Sequence, residues 1–489
     1  MKPPIHTNLY IMEEINLEDL KQKLDKTLNE YFKSKNIQMA EQVLEQAIKV
    51  FDDHKYYQYL TIIKQKMKKM DENDLLLPQL CQKYNNPDDW NNYAIHLKDR
   101  KKFVESVIAS QKAIKLNPNK AAYYCNQALS LTQLDRHQIA VKKIDQALLI
   151  SPNEWFLNAN KACCLADIGK YEESFPCFEK ALANEQCNKE VEVDYFHALA
   201  FQKNYKEAWK RYESRYKCYQ SLMDYMKKRN LERPKELKED MELCVFMEQG
   251  SGDNLMFLRF LKEFQDKYKN SYFATSENFK EICNGLRVEL EIKTTTKYGI
   301  SILSLPYYLG STEIPEPYRL GNYAYTGNIK KVGIVWAGNP AHPMDYQRSC
   351  YAEDFLSQID FNKYKIYSFQ KDNRPRKYVH SDEIIDFSKN LEKYKVIDLS
   401  NRLNSINDTV KCLEQMDYFI SVDSLPIHIA GAVGIPSAVI VSDKPDWRWG
   451  KTGDYSEWYP NIRIYRKDKT QSLKSVIGSC LVDLEDISG

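Results

Sequence analysis

The residues best placed to do chemistry in this chain are acids that follow apolar runs. Asp253 closes the stretch Gly250, Ser251, Gly252, Asp253, behind the apolar segment 243–247 and ahead of apolar residues at helical spacing. Glycines let a backbone turn sharply and come close to a ligand. The exposed N–H groups at a helix start favour oxygen-rich groups. An acid at that point can take a proton, or it can simply cap the helix. The same arrangement recurs at Asp423 and Ser424, which follow the apolar run 419–422 and open a helical segment carrying His428. Asp423 and Ser424 can cap that helix, whose free N–H groups suit a diphosphate. His428 stands five residues beyond Asp423, near such a ligand, although a lone histidine on an apolar helix is usually just packed. Two more apolar runs end in polar groups: one leaves through Gly338 and Asn339 into a polar loop with Arg348, the other ends at Gln370 and Lys371. These strand ends point to one cleft for an anionic ligand.

The turn at 250–253 is neither of the two common nucleotide loops. No Lys-Ser/Thr follows it, which excludes a Walker A loop, and Leu255 stands where the dinucleotide fingerprint needs its third glycine. An ATPase and a dehydrogenase are both unsupported.

The elements that must position these residues alternate. From about residue 240, short apolar runs read as strands at 242–249, 271–276 and 288–292, with helical segments at 255–268 and 277–286. A turn-rich stretch, 310–328, follows, and the alternation restarts at 330 and runs to about 442. Alternating strands and helices predict parallel sheets with helices on both faces, and ligands in such sheets bind at the carboxyl ends of the strands. Two series predict two Rossmann-like domains, 240–328 and 329–489, facing a cleft. The aromatic stretches 444–450 and 456–460 can stack on a base or sugar or pack the cleft rim; packing is the favoured reading. The last helical segment, from about 472, is expected to pack back on the fold.

The N-terminal half is a repeat. Phe103, His137, Tyr171 and Tyr205 are spaced by 34 residues, as are Ser106, Ala140, Ser174 and Ala208. Leu97, Leu131, Leu165 and Leu199 keep the same step; so do Ala113, Ala147 and Ala181, and Pro118 and Pro152. Small residues at fixed places let two antiparallel helices approach, proline stops the second helix, and each hairpin buries its apolar face against its neighbours. This pattern resembles the tetratricopeptide repeat over 87–120, 121–154 and 155–188, with a shorter fourth unit to about 216. Residues 1–86 form a helical N-terminal region, off register, either divergent repeats or a helical cap. Residues 217–239 are a junction. The repeats offer a groove for a peptide or protein partner, or they only buttress the rest of the chain.

The composition limits the function classes. The net charge is +2, so no global basic field argues for nucleic acid. Twelve scattered cysteines without a CxxC pair read as buried thiols of a reducing compartment. Residues 1–20 lack a signal-peptide core, and no segment approaches the roughly 20 apolar residues of a membrane span. A soluble cytoplasmic protein is expected.

Several of these segments together (248–261, 303–310, 332–349, 397–409, 420–436, and 446–450 with 456–460) resemble bacterial tetratricopeptide-repeat glycosyltransferases. These are relatives of the ADP-heptose:lipopolysaccharide heptosyltransferases, glycosyltransferase family nine. The stretch 211–216 resembles the junction between repeats and transferase in that group. The resemblance implies an all-α tetratricopeptide-repeat solenoid followed by an α/β GT-B module of two Rossmann-like domains, with a nucleotide sugar held mainly by the second. It implies Asp253 as the base, with Asp423, Ser424 and His428 holding the donor. Arg348 and Lys371 fall near basic or polar donor-binding groups, with Gly338 and Asn339 on the same side. It also implies inverting transfer to a hydroxyl of a protein or glycan, with neither cofactor nor metal. Pro426, Ile427 and Ser251 depart from the group's usual residues without removing a reactive group. The competing expectation is a non-catalytic interaction scaffold whose transferase half only senses a ligand.

Overall fold

The computed structural model describes residues 17–324, 329–342, 345–372, 375–377, 384–468 and 471–488. The chain divides into two compact units, Met1–Cys187 and Asn188–Gly489.

In the first unit the described residues form five helical hairpins. They are α1 (Leu17–Lys33) with α2 (Ile37–Val50), α3 (His54–Lys66) with α4 (Met70–Tyr84), and α5 (Pro87–Asp99) with α6 (Phe103–Leu116). Then come α7 (Ala121–Gln133) with α8 (His137–Ile150), and α9 (Trp155–Asp167) with α10 (Tyr171–Leu182). Phe103, His137 and Tyr171, the residues that carry the 34-residue step, each begin the second helix of a hairpin. The small residues sit where the helices touch: Ala113, Ala140, Ala147, Ala181 and Ser174 are fully buried. Ser106 Oγ donates to the Ala94 carbonyl at 2.6 Å, so even this polar residue closes a helix contact. Extra methylenes at such crossings cost about 1–3 kcal/mol, which explains the small side chains.

Residues 17–84 are two further hairpins of the same form. The turn residue between the two helices is left-handed in every pair: Lys35, Lys68, Lys101, Asp135 and Gly169, at φ 56°, 59°, 59°, 57° and 79°. The steps between them are 33, 33, 34 and 34 residues. The first two pairs therefore keep the repeat at the turn while their side chains drift from the pattern.

The second unit begins with another hairpin, α11 (Glu190–Phe201) and α12 (Tyr205–Tyr212), turned at Lys203 with φ 58°. Two short helices follow, α13 (Arg215–Cys218) and α14 (Gln220–Lys228). The first sheet has strands β1 (Leu243–Phe246), β2 (Ser271–Ala274), β3 (Val288–Glu289) and β4 (Tyr298–Ser301). All pair in parallel, in the order β3-β2-β1-β4. Its helices are α15 (Ser251–Lys267), α16 (Glu277–Lys280) and α17 (Leu305–Leu309). The helix expected over 277–286 is thus a single turn, Glu277–Lys280, followed by turns that include Gly285 at φ 76°.

The second sheet starts at β5 (Lys331–Val335), and the chain continues through α18 (Asp345–Arg348), α19 (Ala352–Leu356) and β6 (Lys365–Ser368). A small antiparallel ribbon, β7 (Arg376–Lys377) with β8 (Ile384–Ile385), stands apart from the sheet. Then come β9 (Val396–Asp398), α20 (Ile406–Leu413), β10 (Tyr418–Val422), α21 (Leu425–Val433), β11 (Ser437–Val441), β12 (Ile462–Arg466) and α22 (Leu473–Ser488). The six parallel strands run β12-β11-β10-β5-β6-β9. Strands β1 and β2 of the first sheet and β10 and β11 of the second are buried along their whole length, as parallel strands covered by helices must be. Helix α22 packs on β11, β12 and α19.

Both sheets share one winding. The chain moves outward from the first strand on one side, then returns to that strand's other side: β4 beside β1, β10 beside β5. The reversal opens a crevice at the carboxyl ends of the two inner strands, where ligands of doubly wound sheets bind.

Candidate functional site

The carboxyl ends of both sheets border one cavity of about 610 Å³. The first sheet contributes Met247 and Ser251 beyond β1, and Ser276 and Asn278 beyond β2. The second contributes residues 337–340 beyond β5, 370–372 beyond β6, 404–406 at the start of α20 and 424–426 at the start of α21. Of the residues singled out by sequence, Ser251, Gly338, Asn339, Lys371 and Ser424 therefore share this cavity. A second cavity of about 160 Å³ is bordered by Arg348, Asp423, Lys444, Asp446 and Arg448.

The turn after β1 works differently from the sequence expectation. Its left-handed residue is Gln249, at φ 60°, while Gly250 is extended. Gln249 is held there by its side-chain amide, which donates to Tyr212 Oη at 2.7 Å. Asn254 is fully buried and fastens the turn, donating to the Glu248 and Gly250 carbonyls at 2.9 and 2.7 Å and accepting from the Glu248 N–H at 3.0 Å. Gly252 is required by a neighbour: a β-carbon there would stand 2.8 Å from His428 Cδ2. The glycine lets the histidine, not a ligand, approach the backbone.

Asp253 is the third residue of α15. Its Oδ2 accepts from the Gly250 N–H at 3.1 Å, which caps the helix, and its Oδ1 accepts from Arg448. Arg448 lies 195 residues away, in the single 3-10 turn Trp447–Trp449 after β11. Burial pulls the Arg448 pKa down, but the acids Asp446, Asp253 and Asp423 outweigh it and hold the guanidinium above its usual value. The aromatic neighbours pack as favoured. Trp447 meets Phe196, Trp209 and Trp458 edge-on, and Trp449 stacks on His428 at 5.6 Å. Sequence reasoning read this stretch for its tryptophans and passed over the arginine between them. Its one signal was an arginine enclosed by two tryptophans, two residues after an acid.

Ser424 occupies the N-cap position of α21, but its hydroxyl turns back and donates to the Val422 carbonyl at 3.2 Å. The expected cap by Ser424 does not form; in the first turn Pro426 has no N–H, and the Ile427 N–H donates to the Ser424 carbonyl at 3.1 Å. Pro426 sits within that first turn without breaking the helix. His428 is 3% exposed, between Gly252 and Trp449, with Nε2 3.7 Å from Asp423 Oδ1. Burial, aided by the Arg448 charge, lowers its pKa to about 3, so the ring is neutral. It packs the turn rather than facing the larger cavity.

Arg348 is oriented by the fully buried Asp345, to which its Nε donates at 2.8 Å. The same pair requires Gly338, whose β-carbon would stand 2.9 Å from Arg348 Nη2. Lys371 is exposed on the rim and donates to the Ser400 carbonyl and Asn404 Oδ1, both at 3.1 Å. Gln370 is buried and committed to backbone, accepting from Ala337 N–H and donating to the Ala337 carbonyl, each at 3.0 Å.

The whole turn is anchored by the stretch 211–216. Arg215 is fully buried; it donates to Glu248 at 3.1 Å, to Glu213 Oε1 at 2.7 Å and to Ser304 Oγ at 2.7 Å. Arg259 on α15 is also buried and donates to the Pro315 and Trp458 carbonyls, both at 2.8 Å, which ties the first sheet's helix to the loop after β11.

Comparison with known proteins bears on the repeats. A tetratricopeptide repeat family model matches residues 157–185, the hairpin α9–α10. Superkiller protein 3 of Schizosaccharomyces pombe is 22% identical over 247 residues, 49% of this chain and 17% of that protein. Small glutamine-rich tetratricopeptide repeat-containing protein 2 of Mycosarcoma maydis is 30% identical over 98 residues, 20% of this chain and 27% of that protein. The chain thus spans less than a third of either relative. Among solved structures, the Pseudomonas aeruginosa pilF protein is 14% identical, with a TM-score of 0.37, covering 43% of this chain and 96% of its own. The N-terminal half is a helical solenoid with tetratricopeptide repeats, followed by parallel α/β sheets. No helix among the described residues is long and apolar enough to cross a membrane.

Proposed function

We propose that the second unit is a nucleotide-sugar-dependent glycosyltransferase of the GT-B kind, and that the repeats recruit a protein or glycan acceptor. The observation that carries this reading is the cavity of about 610 Å³ shared by the carboxyl ends of two sheets wound the same way. One side offers Ser251 at the start of α15, two residues before Asp253, which does not itself line the cavity; the other offers the start of α21 and the loop 337–340. The positive end of a helix dipole favours a diphosphate.

In this reading the acceptor oxygen attacks the anomeric carbon, and the bond from that carbon to the phosphate oxygen breaks. The electron pair leaves with the nucleoside diphosphate, and the hydroxyl proton passes to Asp253. General-base catalysis of this kind contributes roughly 10²–10⁴-fold. Ser424 and Asn339 line the donor side, with Lys371 on its rim. Arg348 and Asp423 border the smaller cavity beside it.

A thermal-shift panel with ADP, UDP, GDP, CMP, dTDP and their common sugars tests the reading. A ligand at about 100 times its dissociation constant adds about 2.7 kcal/mol, on the order of 5 °C for a unit of this size. One clear responder supports the donor site and names its base. A folded protein that none of them shifts favours a protein-interaction scaffold, the role to which the repeats alone point.

A further inference from the structure

Arg448 sits at a crossing of two demands. Its guanidinium is bound to Asp253 and lies 3.2 Å from Asp446 Oδ2, while its Nε is buried without a hydrogen-bond partner. The same side chain borders the cavity of about 160 Å³, beside Arg348 and Lys444. That space is much smaller than the neighbouring cavity of about 610 Å³ and is lined by groups that suit a phosphate. Three cations and two acids, Asp423 and Asp446, border it. Arg448 and Arg348 are already committed to carboxylates, Asp253 and Asp345. An anion enters such a site only by exchange, and arginine's planar fork suits phosphate as well as carboxylate.

We propose that Arg448 is an exchangeable partner of Asp253: phosphate oxygens entering the smaller cavity take the guanidinium, and Asp253 Oδ1 is released. Asp253 keeps its Oδ2 contact with the Gly250 N–H throughout, so its position is held while one oxygen is freed. The consequence for catalysis rests on the transferase reading, because it makes the base available only when a phosphorylated ligand is bound. The exchange itself does not need that reading. Arg448 is then a positioning residue, acting through Asp253.

The test is calorimetric titration of the full chain with inorganic diphosphate at fixed ionic strength. Four proteins form a double-mutant cycle: wild type, Asp253→Asn, Arg448→Gln and the double variant. Removing the competing carboxylate tightens diphosphate binding at least about threefold in the wild-type background and leaves it unchanged once Arg448 is gone. An equal gain in both backgrounds makes Asp253 a mere nearby negative charge and overturns the proposal; so does the absence of diphosphate binding by folded wild type. Should Arg448→Gln fail to fold, Arg448→Lys replaces it, because lysine lacks the fork: the gain must shrink, and an undiminished gain overturns the exchange. Because the readout is an inorganic anion, an intact cycle without sugar transfer removes the transferase reading alone. Sugar transfer with an uncoupled cycle removes the exchange alone.

Discussion

Gly252 and His428 touch: a β-carbon on Gly252 would lie 2.8 Å from His428 Cδ2 and 3.3 Å from its Nε2. The contact joins the first turn of α15, which carries Asp253, to the helix α21, whose imidazole lies 3.7 Å from Asp423 Oδ1. Gly252→Ala is expected to destabilise the second unit by about 1–3 kcal/mol through overpacking. The loss should largely disappear in a His428→Ala background, as measured by denaturant midpoints. An equal loss in both backgrounds would show that the ring is not the obstacle.

Arg215 is the buried hub of the turn's support. Arg215→Met leaves Glu213 and Glu248 without their shared cation, and breaking a buried pair from one side costs about 3–5 kcal/mol. Urea unfolding followed by tryptophan fluorescence measures it. A loss below about 1 kcal/mol would place the pair in the class of weak surface bridges instead.

Asp253→Asn keeps an oxygen for the Gly250 N–H and loses the proton acceptor. If Asp253 is the base, sugar transfer falls by roughly 10²–10⁴-fold while nucleotide affinity is retained. Transfer at the wild-type rate would remove Asp253 from that role.

His428 makes stability depend on pH in a defined direction. In the unfolded chain it takes a proton below its ordinary pKa of 6.5, while in the folded protein burial and Arg448 delay this to about 3. Between those values the unfolded state binds the extra proton, so stability falls as pH falls below about 6.5. From pH 7 to pH 5 the histidine's share is about 2 kcal/mol. The difference in unfolding free energy between wild type and His428→Gln should shrink by that amount over this range. A difference independent of pH would mean that the ring is already charged in the fold.

Much of the architecture was legible because burial leaves marks on residue types. Strands buried on both faces must be apolar throughout, so 243–246 and 418–422 stood out. Helix crossings need small side chains, so the 34-residue step at Ser106, Ala140, Ser174 and Ala208 was plain. For the hairpins of 17–84 the sequence left two readings open, divergent repeats or a helical cap. Their shared feature is a left-handed turn, and Lys35 and Lys68 occupy it where glycine would have advertised it.

At the site, the sequence by itself determined which acids close strands and which glycines accompany them, because these follow from local backbone chemistry. Sheet order was decided by the tertiary structure, since parallel neighbours are joined by crossovers that leave no local trace of their placement. So were the partners of the two acids. Asp253 meets an arginine 195 residues away, and Gly252 is small for the sake of His428, because side-chain contacts between distant segments exist only once both sheets have folded.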